Sequence, residues 1–599
     1  MKSRLGYGVL VLMIILTLGG FSVMAAESEV KIYEEEEVVI TATRTKQAES
    51  QAPGKTEVIT EAEVEASGAA TVAEVLVGEG LVTYNTGGAA GAVNLQLDGA
   101  SPAQTLILIN GVPANAGTDG LVDLSYFPTA GIERIEIVHG PLSALYGANA
   151  MGGVVNIITN LTGKPASQGV FTGGSNSYGQ FDLAIIQPRF GLAIGGRATD
   201  GYQANSGTNT SYIMGQYDFW QNDPQKLRLN FTYNTKDFEI PRSADDGKKE
   251  NLAVDLQGKN ILGQAVIEYK IYAQDFNYDH NSYTKTQYKT NIYGADFATG
   301  YQVASHLLLG GFQLQQSKLS RNELKDTWHN GALFLQDEWQ VNPQWQLVSG
   351  VRWDTGSVFS SPLCSRFGLN YALSEQLTVK LGYGKAFRAP NFDDLYFPED
   401  SWEYDGKTYY SKGNPNLKPE TSERYDLTGE WRSGSQTLGL NCFTAEVIDG
   451  IEWNRMENNV NSPLNISKMQ INGVSMSWQN QFNQYLAVEL KYLFTDRKSW
   501  DVTTQSYSID KNTYGKNRYT LNLEYNRNPW DMNLNWTYIT ERNDNQGNYG
   551  VLDLNLKYQV NPKLNYGLTI NNLTDKAYQV VDGYLMPGRE YYLSANYTF

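Results

Sequence analysis

"LRLNFTYN", residues 227–234, alternates without a break: Leu227, Leu229, Phe231 and Tyr233 fall on one side, Arg228, Asn230, Thr232 and Asn234 on the other. Successive side chains of a strand point to opposite faces, so the stretch predicts a strand that touches two different solvents. "LTVKLGYGKAF" (377–387) alternates likewise, and "YYLSANYTF" (591–599) puts Tyr591, Leu593, Ala595, Tyr597 and Phe599 on one face. A soluble sandwich would alternate too, but composition separates the two readings. Hydrophobic residues make up only 41% of the chain while aromatics reach 12%, with 39 Tyr and 12 Trp. A polar average with an aromatic excess suits a wall that is apolar outside, polar inside and belted by rings. From Ala166 to Phe599 the chain can supply about 22 strands of roughly 20 residues, ~10 to cross a bilayer and the rest for connections. In hydrocarbon such a sheet must close so that every amide finds a partner. The expected fold is membrane all-β: a 22-stranded antiparallel transmembrane β-barrel over residues 166–599.

The first residues agree with export. Lys2 and Arg4 precede an apolar core from Val9 to Leu18, and Val23-Met24-Ala25-Ala26 supplies small residues for cleavage, so residues 1–26 read as a signal peptide. An uncleaved anchor is the competing reading, and that core is short beside the roughly 20 residues a span requires. Between leader and barrel the grammar differs. Residues 45–162 are rich in Gly and small aliphatics, with short apolar runs at Leu106–Ile109 and Ile135–Val138. "TEAEVEASGAATVAEVLVG" (60–78) places Val64, Val72, Val75 and Leu76 at near-helical spacing, with Thr60 and Glu63 as a capping box. This predicts a small mixed α/β unit with its own core. A barrel of that size leaves a bore wide enough to need a plug, and this unit has the size for one.

Several function classes are excluded. A net charge of -17 argues against a nucleic-acid surface. Two cysteines, Cys364 and Cys442, cannot make a zinc cluster; they could form one bridge, and two free thiols in the wall are the expectation. The four histidines include no HExxH pair and no serine elbow is present, so an enzyme is not expected. Gly54-Lys55-Thr56 and Gly406-Lys407-Thr408 resemble phosphate loops only faintly, because Glu49 and Ser401 stand where each needs its first Gly.

"LILINGVP" (106–113) and "IERIEIVHGPLSALYGANAMGGVVNIIT" (132–159) are similar to the plug signature of TonB-dependent outer-membrane receptors. "FRAPNFDDLYFP" (387–398), "GNPNLKPETSERYD" (413–426) and "NLTDKAYQ" (572–579) resemble that family's barrel motifs. The likeness spans essentially the whole mature sequence. One departure is His139, where the family usually has Arg. The resemblance implies an integral outer-membrane monomer that fills its own lumen with the plug and is energised by TonB and the inner-membrane ExbB/ExbD complex. It also explains "EEEEVVITATR" (34–44). Glu37, Val38, Val39, Ile40, Thr41, Ala42 and Thr43 resemble the TonB box, a β-prone segment able to add itself to a partner's sheet edge. The alternative is a linker, or a first plug strand paired internally.

For cargo, "GGVVNIIT" (152–159), "GSNSY" (174–178) and "GYLMPGREYYLSANYTF" (583–599) are most similar to the cobalamin transporters of the family. Haem receptors typically carry a His between the FRAP and NPNL motifs, and residues 389–414 contain none. Ferric siderophore uptake is the rival cargo, and a passive porin or adhesin the rival class. By family position the ligand would meet two plug loops, through Asn85, Thr86, Gly87, Asn115 and Thr118, and external aromatics such as Trp402 and Tyr404. No cofactor is required. Cobalamin transporters resemble one another in an acidic calcium cluster, for which Asp200, Asp245, Asp246 and Glu250 are the candidates here.

Overall fold

The structure is a computed structural model describing residues 38–599 apart from 86–89, 221–224, 242, 283–284, 360–361, 405–406, 456–458, 502–505, 510–514 and 543–546. Only the backbone is described at 38, 82, 402–404, 454–455, 467, 501 and 509. The expected signal peptide and Glu37 lie outside the described residues.

Among the described residues 22 antiparallel strands form a closed wall, from Ala166–Gly174 to Glu590–Thr598. The first strand pairs with the last, from Gln168 opposite Thr598 to Gly174 opposite Tyr592, which closes the wall. Alternation sorts the two faces as the sequence requires. On the strand Lys226–Glu239, Asn230, Asn234 and Lys236 are buried toward the bore. Phe171 and Leu593 are each 66% exposed, and Leu333 and Leu363 are 57% and 60% exposed on the outside. Side chains of this size and number are exposed at no cost only to lipid. No described helix is long and apolar enough to cross a membrane.

The two rims differ. Two-residue turns follow Leu262, Val303, Asn342, Ser433, Asn483 and Asn561. Beside them sit stacked rings such as Trp345–Tyr371, 4.0 Å between centroids, and Trp530–Tyr558, 4.8 Å, as an interfacial belt requires. The other rim carries the long connections. One of these, between Arg388 and Glu420, holds a helix, Phe392–Tyr396, and a hairpin of Asp400–Tyr404 with Lys407–Ser411. By the usual asymmetry of such barrels the short turns face the periplasm and the long loops the exterior.

Inside the bore lies a five-stranded sheet in the order Thr56–Thr60, Ile132–His139, Gly153–Thr159, Thr105–Ile109, Val112–Pro113. The capping box forms: Glu63 N–H donates to Thr60 Oγ1 (3.3 Å), and Thr60 N–H donates back to Glu63 Oε2 (2.7 Å). It starts the helix Glu61–Ser67, which ends at Gly68 in the left-handed region (φ 66°). A second helix, Val72–Gly78, starts at Thr71. Val64, Val72, Val75 and Leu76 pack on Ile135, Ile137, Val155 and Ile157 in one buried core. Each such side chain contributes about 1.5–3 kcal/mol on burial, so the plug has an apolar core of its own.

Plug and wall meet through polar groups. Wall side chains donate to plug backbone carbonyls: Arg366 to Ala42 O (2.5 Å), Gln336 to Thr43 O (3.0 Å), Arg352 to Leu145 O (3.0 Å), Arg497 to Gly99 O (3.0 Å), Arg518 to Leu81 O (2.7 Å) and Asn535 to Gly78 O (2.6 Å). The loops of the plug leave carbonyls without sheet partners, and a buried carbonyl must find a donor. A polar lumenal face supplies it. Close approach also demands glycine at Gly147, whose φ is +82° and where a Cβ would sit 2.7 Å from Arg352 Nη2. Because these bonds replace contacts that water could make, the seam is fit to be broken and remade.

Candidate coupling segment and ligand vestibule

The segment 38–43 is not the unpaired extended strand its composition predicts. Val38–Val39 pairs antiparallel with Gln47–Ala48, and the chain turns between them, with Arg44 N–H donating to Ile40 O (2.7 Å) at an Arg44 φ of 62°. The reason is tertiary. Glu136, fully buried, turns one carboxylate oxygen to Ile40 N–H (3.0 Å) and Thr41 N–H (2.8 Å), while Arg134 Nε donates to the other (2.8 Å). Asn156 Nδ2 donates to Thr41 Oγ1 (3.0 Å) and the Tyr146 hydroxyl to Thr41 O (3.0 Å). Val39, Thr41, Ala42 and Thr43 are fully buried. Just beyond, Arg44 pairs with Asp296 of the wall (3.2 Å) and lies over the rings of Tyr146 and Phe334 at 4.7 and 4.8 Å. The amides expected to serve a partner are therefore bonded within this chain in the structure.

At the outer end of the bore the plug apex meets the wall. Asp123 accepts from Lys236 (3.3 Å) and Lys249 (2.8 Å); burial alone would raise its carboxyl, but the two ammoniums outweigh this and hold it well below the usual range. Lys249 also lies over Phe238 and Tyr278, at 5.4 and 5.7 Å. Tyr278 stacks on Tyr288 (5.2 Å), and Arg321 covers both Tyr288 (4.9 Å) and Phe397 (3.6 Å). Tyr278, Tyr288 and Phe397 are half-buried, so a ring-lined floor with two cations stays open above the plug. Sequence reasoning missed this floor. The signal was available, because Tyr278 is in phase with lumenal Gln274 and Tyr288 with lumenal Thr290: aromatics on a face that is otherwise polar.

The expected ligand residues are placed differently. Asn115 faces inward: its Oδ1 accepts from Ile107 N–H (3.0 Å) and its Nδ2 donates to Gly120 O (3.0 Å), so it fastens its own loop. Thr118 is buried and donates to Asp393 Oδ2 (3.1 Å), and Asp393 N–H donates to Thr118 O (3.1 Å), tying the apex to the external helix. Asn85 ends the short strand Val82–Asn85, and Thr86 and Gly87 lie outside the described residues. Trp402 and Tyr404 belong to the external hairpin, their side chains outside the description.

The candidate calcium acids do not converge, and among the described residues no three acids, histidines or cysteines come together as a metal site. Alternation along Asp246–Leu262 turns Glu250 toward Lys248 (2.8 Å) and Tyr233 (3.2 Å), Asp245 lies 3.9 Å from His280, and Asp246 accepts from Asn281 (2.6 Å). Asp200 stands in a different connection, after the strand Phe190–Thr199. Cys364 and Cys442 are free thiols.

His139 sits in the seam with both ring nitrogens against carboxylates: Nδ1 3.0 Å from Asp98 and Nε2 2.7 Å from Glu57. Asp98 is shared with Arg424 of the wall (2.8 Å), which also pairs with Asp426 (2.6 Å); Glu57 is shared with Lys55 (2.8 Å) and approached by Lys491 (3.8 Å). Only the imidazolium can donate from both nitrogens. Burial and Lys55 oppose the charged ring, but Asp98 and Glu57 outweigh them and raise its pKa above the ordinary 6.5. A raised value means that the stabilisation is complete below about pH 6.5 and is lost as pH rises through the folded-state value. Hydrogen-exchange protection of the Val138 and His139 amides, corrected for intrinsic rates, should therefore fall from about pH 6.5 upward. In His139→Gln that fall should vanish; an unchanged profile would show that His139 does not set the pH dependence of the seam.

A lipid-facing closed barrel whose bore is filled by a domain with its own core is the architecture of a plugged outer-membrane transporter. The chain belongs to the TonB-dependent receptor family: residues 151–573 match the model described as TonB dependent receptor-like, beta-barrel, and residues 48–154 the TonB-dependent Receptor Plug Domain. It is 26% identical over 599 residues to a vitamin B12 transporter, BtuB, of Photobacterium profundum, covering 94% of this chain and 95% of that one. It is 24% identical over 606 residues to BtuB of Vibrio vulnificus, with 94% and 95% covered. Among solved structures it superposes on a mutant ferric enterobactin receptor of Pseudomonas aeruginosa bound to enterobactin, with a TM-score of 0.78 at 18% identity, covering 92% of this chain and 100% of that one. The copper transporter OprC aligns with a TM-score of 0.76 at 16% identity, over 91% and 99%. At these identities the solved structures share the fold.

Proposed function

We propose that this protein imports cobalamin or a related corrinoid across the outer membrane, drawing on TonB through residues 37–43. The observation that carries the cargo is the end-to-end similarity to vitamin B12 transporters, 94% of this chain against 95% of theirs. The vestibule is compatible with it: half-buried rings offer area to a large planar ligand, and the apex beneath is polar. Ligand held there is in reach of the plug loops, and the plug is linked through Glu136 to the segment that TonB would take as an added strand. The pull, powered by the proton gradient, then breaks seam bonds that the empty lumenal wall can remake with water.

A second reading has its own support. Lys249 and Arg321 over Tyr278, Tyr288 and Phe397 make a cationic aromatic floor, which suits an anionic ferric catecholate. Isothermal titration of the refolded barrel separates the two. Cyanocobalamin should bind at micromolar concentration or below while a panel of ferric siderophores gives no heat; the reverse pattern replaces the corrinoid by an iron chelate.

A further inference from the structure

The outer face of the wall changes character from strand to strand above the lipid. Four neighbouring strands, Ala265–Asn281, Lys285–Val303, His306–Arg321 and Leu324–Asn342, run for 16 to 19 residues. Only ~9–11 are needed to cross a bilayer. On the last three, the extra length lies toward the long connections, past Tyr293, Leu314 and Leu333, the last exposed apolar side chains of the outer face. There Thr290, Ser317, Leu319 and Trp328 are buried on the lumenal side, so Lys285, Lys289, Lys318 and Lys325, out of phase with them, point outward. Among the described residues no outward position in this region carries a carboxylate, and Glu323 stands in the turn between two of the strands. The three strands that lead up to it, from Lys226 to Asn281, are the reverse. Above the lipid their outward side chains include Asp237, Glu239, Asp246, Glu250, Asp275 and Asp279 beside a single lysine, Lys248. In a chain of net charge -17 the acidic face is ordinary and the lysine face is the departure.

Cross-strand register gathers these lysines. Lys289, Ser320 and Lys325 stand in one row, and Asn291, Lys318 and Thr327 in the row two residues nearer the lipid. Lys289 lies 3.1 Å from Asp275 and Lys285 4.0 Å from Asp279, whereas Lys318 and Lys325 meet no carboxylate among the described residues. The Lys318 ammonium leans over the Tyr293 ring (5.8 Å), down toward the lipid. From Leu314 to Lys318 is ~13 Å of strand, roughly 10 Å in height at a tilt of about 40°. A phospholipid headgroup layer is only ~5–7 Å deep on each side. Lys318 reaches down to that depth, and the row of Lys289 and Lys325 stands above it. A lipid that meets both rows carries phosphates at two heights, on sugars. From this geometry we infer that the lysine face docks a phosphorylated glycolipid of the outer leaflet. Its acyl chains lie against Leu314 and Leu333, and its sugar phosphates take Lys318 below and Lys289 with Lys325 above. Ammonium groups are compact charges on flexible stems, suited to phosphates whose positions vary. Their attraction for an anionic surface fades within a Debye length, about 8 Å at physiological salt, so the height of the rows matters. The carboxylates of the neighbouring face repel the same phosphates and confine the lipid to one side of the barrel. This lipid belongs to the membrane around the wall and is not cargo, so the inference does not rest on the transport reading.

Native mass spectrometry of the refolded barrel with its plug tests this, with diphosphoryl lipid A, a glucosamine disaccharide bearing a phosphate at each end, as the probe. The wild type should hold it at least about tenfold more tightly than the dephosphorylated form. With Lys289→Gln, Lys318→Gln and Lys325→Gln combined, the two forms should bind within about twofold of each other. The same three positions changed to Arg keep the charge and should keep the preference, as should Lys248→Gln on the acidic face. Equal binding of both forms by the wild type, or an undiminished preference in the triple Gln variant, overturns the inference. So does loss of the preference in Lys248→Gln, which would spread the effect over the whole rim. Phosphatidylglycerol bound as tightly as lipid A, or lipid A displaced by millimolar inorganic phosphate, would make this a general anion patch and overturn the glycolipid assignment.

Discussion

Ile40→Pro is expected to bind its ligand normally and to take up none of it. Proline removes the Ile40 N–H and fixes the backbone near φ about -65°, so the residue can no longer contribute a donor to an added strand. In this structure the same N–H is bonded to Glu136 (3.0 Å), and the substitution also loosens the segment from the plug. Were release all that mattered, uptake would rise. Were the segment a linker, uptake would not change. Strand addition alone predicts uptake at the level of a strain without TonB, with the dissociation constant within about twofold of wild type because the vestibule is remote from residue 40. Ile40→Val, which keeps the N–H and the β-branched shape, should transport normally. Transport by Ile40→Pro above that background would dismiss residues 37–43 as the coupling element.

The second large effect should come from Glu136→Ala. Its carboxylate takes both the Ile40 and Thr41 amides and the Arg134 guanidinium at zero exposure. Hydrogen bonds to a charged group are worth about 1.5–3 kcal/mol each, so losing the two that hold the segment favours its release by roughly 3 kcal/mol or more, on the order of 100-fold. With Thr41→Cys as reporter in both backgrounds, maleimide labelling in the absence of ligand should accelerate by about that factor. Glu136→Gln, which keeps one acceptor, should fall between. Unchanged labelling in Glu136→Ala would mean that Asn156, Tyr146 and Arg366 hold the segment without it.

Much of the fold was legible because the barrel obeys one short-range rule. Alternation in "LRLNFTYN" needs no knowledge of distant residues, and Asn230 and Asn234 turn inward as it demands. The capping box at Thr60 and Glu63 is likewise local. The contacts that decide function are not local. Arg44 meets Asp296 and Gln104 meets Glu420, hundreds of residues away, and no pattern in either neighbourhood announces the other. The segment 38–43 shows the conflict most clearly: β-branched residues favour extension, and one buried carboxylate from the plug sheet bends it into a turn. Asn115 and Thr118 are expected at the ligand by family position, and such a placement says nothing of the bonds that polar loop residues make within reach, here to Ile107, Gly120 and Asp393.

The direction of the seam bonds has a further consequence. Wall arginines, glutamines and asparagines grip plug carbonyl oxygens, as Arg497 does at Gly99 and Arg518 at Leu81, and a carbonyl is the same whatever side chain its residue bears. The plug surface is thus free to drift under mutation without losing its anchorage, while the lumenal donors are not. Covariation should concentrate in the ties made side chain to side chain, among them Arg44 with Asp296, Arg424 with Asp98, Lys236 and Lys249 with Asp123, Lys491 with Glu79 and Glu420 with Gln104. A stopper grafted from a distant relative would need such pairs matched to seat in this bore.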